Sequence, residues 1–307
     1  MKVQSLSIVV PAGCTNNCRF CVSKLHNEDS KKYVNQIEKN FQFKRLYKND
    51  YIDALSFSRD NGCNTMMFTG DGEAILNRNF MEMVSDLNEK LSSPFRWIEL
   101  QTSGVFLTEK AENGGEKNLR WLRDDIRVKT ISLSLSSIWS SEQNAEYNRP
   151  NRNAHVNIEE TCEAIKKYDF TLRLSLNMTD FYNDKTPKEI FERAKELGAN
   201  QITFRVLYNV NNPQDEKEQE INDWIDLHRC NLGKINEINE YIKQHGKPLE
   251  RLPFGAIRYS LHGMSVVLDN DCMNSNTEHL KDEVKYLILR PDCKLYTKWD
   301  DKGSCLF

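Results

Sequence analysis

Three cysteines, Cys14, Cys18 and Cys21, stand in the stretch GCTNNCRFC (residues 13–21). Thiols at CxxxCxxC spacing on one loop can bring their sulfurs to a common centre, which points to metal or redox chemistry rather than packing. A structural zinc site wants four protein ligands. The nearest further candidate is His26, five residues past Cys21, and a lone histidine there reads as a surface residue. An iron–sulfur cluster held by three cysteinates instead leaves one iron open to a small molecule. A non-catalytic zinc or cluster clamp and an open cluster both remain compatible with the three thiols. Iron content and colour of the anaerobic protein separate them.

The cysteines follow a short apolar run, and that run is the first of six β-rich segments: SIVVP (7–11), TMMFTG (65–70), WIELQTS (97–103), ISLSLSS (131–137), LRLSLNM (172–178) and ITFRVL (202–207). Helical stretches lie between them. Phe80, Met83, Val84, Leu87 and Leu91 share one helical face, as do Ile158, Cys162 and Ile165, and Ile190, Phe191, Ala194 and Leu197. Strands separated by helices of this length pair in parallel through right-handed crossovers. Six units are too few for an eight-stranded barrel. The predicted architecture is therefore α/β, a partial (β/α)6 TIM-like barrel over residues 1–208 with a C-terminal α+β extension over 209–307. The extension shows helical stretches around Trp224 and Ile238, and then strand-rich segments. KLYTKWDDKGSCLF at its end is expected to close or cover the open side. The Asn-rich segment 140–155 reads as a surface loop, and Gly13 as the residue that lets the backbone turn into the cysteine loop.

Alternation within the strands says more than their number. Glu99 and Gln101 share one face of their strand; so do Ser132, Ser134 and Ser136; Arg173, Ser175 and Asn177; and Thr203 and Arg205. Helices must cover the opposite, apolar faces. The polar faces then line the concave side, where burial of so many hydrogen-bonding groups is costly unless they bind something polar. In parallel α/β folds the chemistry sits at the C-terminal ends of the strands, where the cysteine loop begins.

CTNNCRFC resembles the signature of the radical S-adenosylmethionine (SAM) superfamily, in which the residue before the third cysteine is aromatic, here Phe20. FTGDGEAIL, after the second β run, resembles that family's glycine-glycine-glutamate element, with Gly70, Asp71, Gly72 and Glu73. LQTSG resembles the polar end of its third strand. The resemblance covers residues 7 to about 207. Aligned on Glu73, Asp71 replaces the usual first glycine and Ala74 the usual proline; alanine there also occurs in activating enzymes of glycyl radical proteins.

The resemblance implies that Cys14, Cys18 and Cys21 hold a [4Fe–4S] cluster. It implies that SAM is bound by Phe20, Gly70, Asp71, Gly72, Glu73, Gln101, Ser134, Ser136, Asn177 and Arg205. It further implies reductive cleavage of SAM to a 5′-deoxyadenosyl radical that abstracts hydrogen from a small-molecule or peptide substrate, with an electron donor such as flavodoxin or ferredoxin. A glycyl radical activating enzyme is the alternative within the family.

Composition limits the partners. A net charge of -3 with no block of Lys and Arg weighs against nucleic acid, and no apolar run is long enough to span a bilayer. The N-terminal run is too short in apolar residues for a signal peptide. The expectation is a cytoplasmic protein whose nine cysteines stay reduced. Cys63 and Cys162 read as small core residues. Cys272, Cys293 and Cys305 contain no CxxC pair, which weighs against an auxiliary cluster.

Overall fold

The computed structural model describes residues 3–21, 48–70, 72–108, 114–151, 155–207, 209, 213, 215–252, 256–269, 284–299 and 302–307. All six expected β runs form strands: β1 (Ser5–Val9), β2 (Thr65–Thr69), β3 (Trp97–Thr102), β4 (Thr130–Leu135), β5 (Thr171–Met178) and β6 (Gln201–Val206). Each pairs in parallel with the next. The crossovers carry α1 (Lys48–Asp60), α2 (Arg78–Asn88), α3 (Gly115–Asp124), α4 (Ser141–Asn148), α5 (Ile158–Lys167) and α6 (Pro187–Glu196). Except in α4, their apolar stripes are buried against one face of the sheet, where Leu6, Ile8, Met66, Phe68, Leu100, Leu133, Leu174 and Phe204 are all wholly covered. Local signals set the helix limits. Thr186 and Glu189 form a reciprocal capping box with Pro187 at the first turn of α6, and Gly198 beyond its end takes φ +77°.

The extension does not stand apart from the barrel sheet. After α7 (Glu216–His228) and α8 (Leu232–His245), its strands add to both edges. At one edge β9 (Met264–Asp269) pairs in parallel with β6 and is continued by the antiparallel strands β7 (Lys247–Arg251) and β8 (Ile257–Leu261). At the other, β10 (Tyr286–Leu289) lies parallel to β1 and antiparallel to β11 (Leu295–Tyr296). Among the described residues the result is one open sheet of eleven strands, ordered β11-β10-β1-β2-β3-β4-β5-β6-β9-β8-β7. This is a mixed α/β partial barrel of TIM-like type. The tail serves both faces of the β10 edge: Tyr296 and Trp299 pack with Val9, Tyr286 and Ile288 on the concave side, while Phe307 meets Phe57 of α1 edge-on at 5.1 Å. Among the described residues no helix is long and apolar enough to cross a membrane.

Register stacks the polar concave residues into rows. Gln101, Ser132, Arg173 and Gln201 share one row, Ser134, Ser175 and Thr203 the next, and Asn177 and Arg205 the row nearest the C-terminal edge. The lower part satisfies itself. Arg173 Nη1 donates to both oxygens of the buried Glu99, at 2.7 and 2.6 Å, and its Nε donates to Gln201 Oε1. This pair forms a polar floor that needs no ligand.

The segment expected as a surface loop, residues 140–155, is a helix over half of its length. Ser140 caps α4 by accepting from Gln143 N, and Asn144, Tyr147 and Asn148 are turned inward. Its buried face is polar and aromatic rather than aliphatic, so the hydrophobic period carries no signal for it.

Candidate functional site

The cysteine loop leaves β1 and is fastened on two sides by its backbone. On one side Gly13 O accepts from Glu73 N at 2.8 Å. On the other, Asn17 N donates to the carbonyls of Asn148 and Arg149, both at 3.0 Å, and Thr15 O accepts from Asn151 N at 2.8 Å. The loop is thus clamped between the segment after β2 and the end of α4.

The close approach on the β2 side depends on glycine. A Cβ on Gly72 would stand 2.2 Å from Ala12 O and 2.4 Å from Gly13 O; one on Gly70 would stand 2.7 Å from Val10 O. Gly13, by contrast, would meet nothing within 4 Å and does not take positive φ. The backbone requirement for glycine therefore lies in the partner segment, not in the cysteine loop as expected. Asp71 lies outside the described residues.

Glu73 is buried, and its two carboxylate oxygens are treated differently. Ser103 N and Oγ both donate to Oε2, at 2.9 and 2.7 Å. Among the described residues Oε1 is buried without a hydrogen-bond partner. A buried carboxylate oxygen left unsatisfied is a site for a cationic donor. Burial pushes the Glu73 carboxyl above its ordinary pKa, opposed by the nearby Thr102 hydroxyl and by the hydrogen bonds from Ser103. Ser103 belongs to the LQTSG stretch but escaped the sequence reading, which singled out Gln101. Gln101 Oε1 accepts from Thr69 Oγ1 at 2.9 Å.

Around the strand ends, Asn177 Nδ2 donates to Ser134 Oγ at 3.3 Å, and Arg205 stands in register between Asn177 and Asp269. Ser136 is wholly covered, and its hydroxyl donates to Asn148 Oδ1 at 2.6 Å. Phe20 stacks on Trp224 of α7, with ring centroids 5.6 Å apart, and joins Leu207, Ile221 and Ile225. Beyond Trp224, Tyr147 Oη donates to Asp180 Oδ1 at 2.8 Å and lies 2.9 Å from His228 Nδ1. Burial and Asp180 push the Tyr147 phenol well above its ordinary pKa. The extension thus reaches the cysteine loop through a packed group of rings that periodicity alone does not reveal.

Among the described residues no three His, Cys, Asp or Glu side chains stand together as a metal site. The loop is held in place by its backbone, but the three thiols are not gathered on one point: Cys14 is exposed, and Cys18 Sγ is turned toward Asn148. The donor set nevertheless fits a cluster gripped at three corners. Residues 13–21 offer three thiols and no His, Asp or Glu, and beside them lie an unpartnered carboxylate oxygen and a backbone that only glycine allows so close. Cys63, Cys162 and Cys293 are buried in the main core with thiols pushed up to about 12 by burial. Cys272 lies outside the described residues.

Comparison with known proteins bears on the whole arrangement. A family model for the Radical SAM superfamily matches residues 8–194. The 7-carboxy-7-deazaguanine synthase of Clostridium acetobutylicum is 22% identical over 212 residues, which is 67% of this chain and 86% of that protein. A solved structure of native anSMEcpe with bound AdoMet is similar in fold, with a TM-score of 0.58 and 14% identity over 99% of this chain and 77% of that one. A second, of native anSMEcpe with bound AdoMet and Kp18Cys peptide, gives a TM-score of 0.57 at 12% identity over 98% of this chain and 77% of that one. In a further anSMEcpe structure the match takes in 50% of that chain.

Proposed function

The chain belongs to the radical SAM superfamily, which uses a [4Fe–4S] cluster and SAM, and from that premise we propose that it is an enzyme that cleaves SAM reductively and abstracts hydrogen from a small-molecule or peptide substrate. The observation that carries this reading is Glu73: one oxygen fixed by Ser103, the other buried, unpartnered and adjoining the cysteine loop. Cys14, Cys18 and Cys21 would hold the cluster. Bound there, the cluster supplies the electron that breaks a carbon–sulfur bond of SAM.

The protein residues bind and orient. Glu73 Oε1 takes the ammonium of SAM, and Gly70 and Gly72 let its segment lie against the loop. Ser134 and Asn177 offer hydrogen bonds to the ribose, and Arg205 is the cation for the carboxylate. Phe20, held by Trp224, gives the loop an apolar flank that limits water. Gln101 contributes from the row below. Ser136 acts through Asn148, to which its hydroxyl is bound. The substrate range is supported by the name of the Clostridium acetobutylicum relative, a synthase of the small molecule 7-carboxy-7-deazaguanine, and by the peptide in the anSMEcpe structure. A flavodoxin- or ferredoxin-type protein serves as electron donor.

The test is anaerobic. Reconstituted protein should be brown, carry about four irons per chain, and form 5′-deoxyadenosine from SAM when a reductant is added. A colourless, zinc-loaded protein, or a cluster-loaded one that never cleaves SAM, overturns the proposal.

Glu73→Gln keeps the shape but removes the charge that meets the ammonium. SAM affinity, read by calorimetry, should fall about tenfold to a hundredfold, as for loss of a hydrogen bond to a charged group. The pH dependence follows from the sign of the shift. Because burial raises the Glu73 pKa in the free protein, SAM affinity should decline as pH falls through that raised value, sooner than for an ordinary carboxylate. Glu73→Gln should flatten that decline.

A further inference from the structure

Two exposed arginines flank the cysteine loop. Arg19 stands between Cys18 and Cys21, and Arg149 ends α4, where its carbonyl accepts from Asn17 N at 3.0 Å. Gly13, Cys14 and Asn17 are exposed as well, so the loop that carries the thiols is itself part of the protein surface. Among the described residues neither arginine side chain has an ion pair or a hydrogen bond. Nearby carboxylates do not answer these cations. Glu146, one turn before Arg149, makes no ion pair with it. On α7, whose Trp224 stacks on Phe20, Asp223 accepts from Gln219 at 2.7 Å, and Asp226 pairs with Arg229 at 3.1 Å.

Arg149 is also held in a costly backbone conformation. It takes φ +45° and ψ +63°, the left-handed region in which a helix end ordinarily uses glycine or asparagine. Arg127 also has positive φ, but its guanidinium pairs with Glu89 at 2.6 Å. The Arg149 side chain has no such contact within the chain to offset the strain. A strained residue with an exposed and unused cation points to a role outside the chain.

We propose that Arg19 and Arg149 form the docking face for the electron donor, a small electron-transfer protein whose own cofactor is ringed by carboxylates. The inference rests on the proposed function, which requires an electron to reach the cysteine loop from outside. Electron transfer weakens steeply with distance, so the donor must approach where that loop is exposed. Complementary charges at such a face steer the encounter and fix its orientation. Nucleic acid is the other polyanion that two arginines could meet, and the net charge of -3 disfavours it.

The experiment measures binding of an acidic flavodoxin and, separately, an acidic ferredoxin to the reconstituted protein by calorimetry at low salt. Dithionite-driven SAM cleavage by the parent is followed alongside. The variants are Arg19→Gln, Arg149→Asn and the two combined, asparagine being at ease in the left-handed region. The parent should bind one of the donors, and salt should weaken that binding. The double variant should bind it about threefold to tenfold more weakly, with a shallower salt dependence. Equal binding by parent and double variant overturns the docking face, as does binding of single-stranded RNA in place of either donor. A parent that cleaves SAM yet binds neither donor overturns it too. A parent that binds a donor through these arginines but never cleaves SAM overturns the proposed function and leaves the docking face standing. Should the double variant lose the circular dichroism of the parent, Arg19→Gln decides by the same criteria.

Discussion

Cys18→Ala is expected to abolish formation of 5′-deoxyadenosine and to leave the protein with little or no intact four-iron cluster. On the proposed reading, with one iron reserved for SAM, each of the three cysteines would hold one of the remaining corners, and no His, Asp or Glu within residues 13–21 could replace a lost thiolate. Cys18 is the most telling of the three because it is half-buried and directed at Asn148, whereas Cys14 is exposed. The loop backbone is held by Gly13, Thr15 and Asn17 independently of the cysteine side chains, so the fold should survive the substitution. Circular dichroism unchanged from the parent, together with lost iron and lost SAM cleavage, is the expected combination. Retention of SAM cleavage at the parent rate would show that these thiols are not the cluster's ligands.

Gly72→Ala should be nearly as damaging, although it removes no functional group. The added methyl would stand 2.2 and 2.4 Å from two carbonyl oxygens of the cysteine loop, and neither can move without shifting the backbone that carries Cys14. Overpacking of this kind costs about 1–3 kcal/mol or more, which corresponds to about fivefold to a hundredfold or more in an equilibrium that needs the two segments in contact. The Glu73 N to Gly13 O bond is expected to break, and SAM affinity and iron retention to fall together. Gly13→Ala is the matched comparison: its methyl enters open space and iron retention should persist. Equal behaviour of the two variants in calorimetry and iron assay would refute the account of this contact.

Much of this was legible in the sequence, for identifiable reasons. The β-rich runs were long, alternating and well separated, so β1 to β6 formed where expected, and Asn177 and Arg205 fell on one face by parity alone. Other features had no local signal. β9 and β10 join the barrel at its two edges through pairings remote in sequence, which hydrophobic period does not encode. α4 escaped because its inward face is Asn144, Tyr147 and Asn148, residues that read as a loop until their partners are known. Ser103 and Asn148 matter through contacts with Glu73 and Cys18, and such contacts arise only once separate loops meet. Gly13 was credited with a turn whose glycine requirement belongs to Gly70 and Gly72. A motif shows that a close approach exists, but not which partner makes room for it.

The pairing of β10 with β1 has a bearing on biogenesis. In a nascent chain the strand that leads into the cysteine loop emerges before β2 to β9, while β10, which seals its flank, emerges only after them. Until then β1 presents an open edge, the kind of surface that recruits other chains. Iron delivered before β10 has emerged would meet a half-built cradle, so metallation is expected to follow synthesis of β10, and assembly factors or chaperones would find their window in that interval.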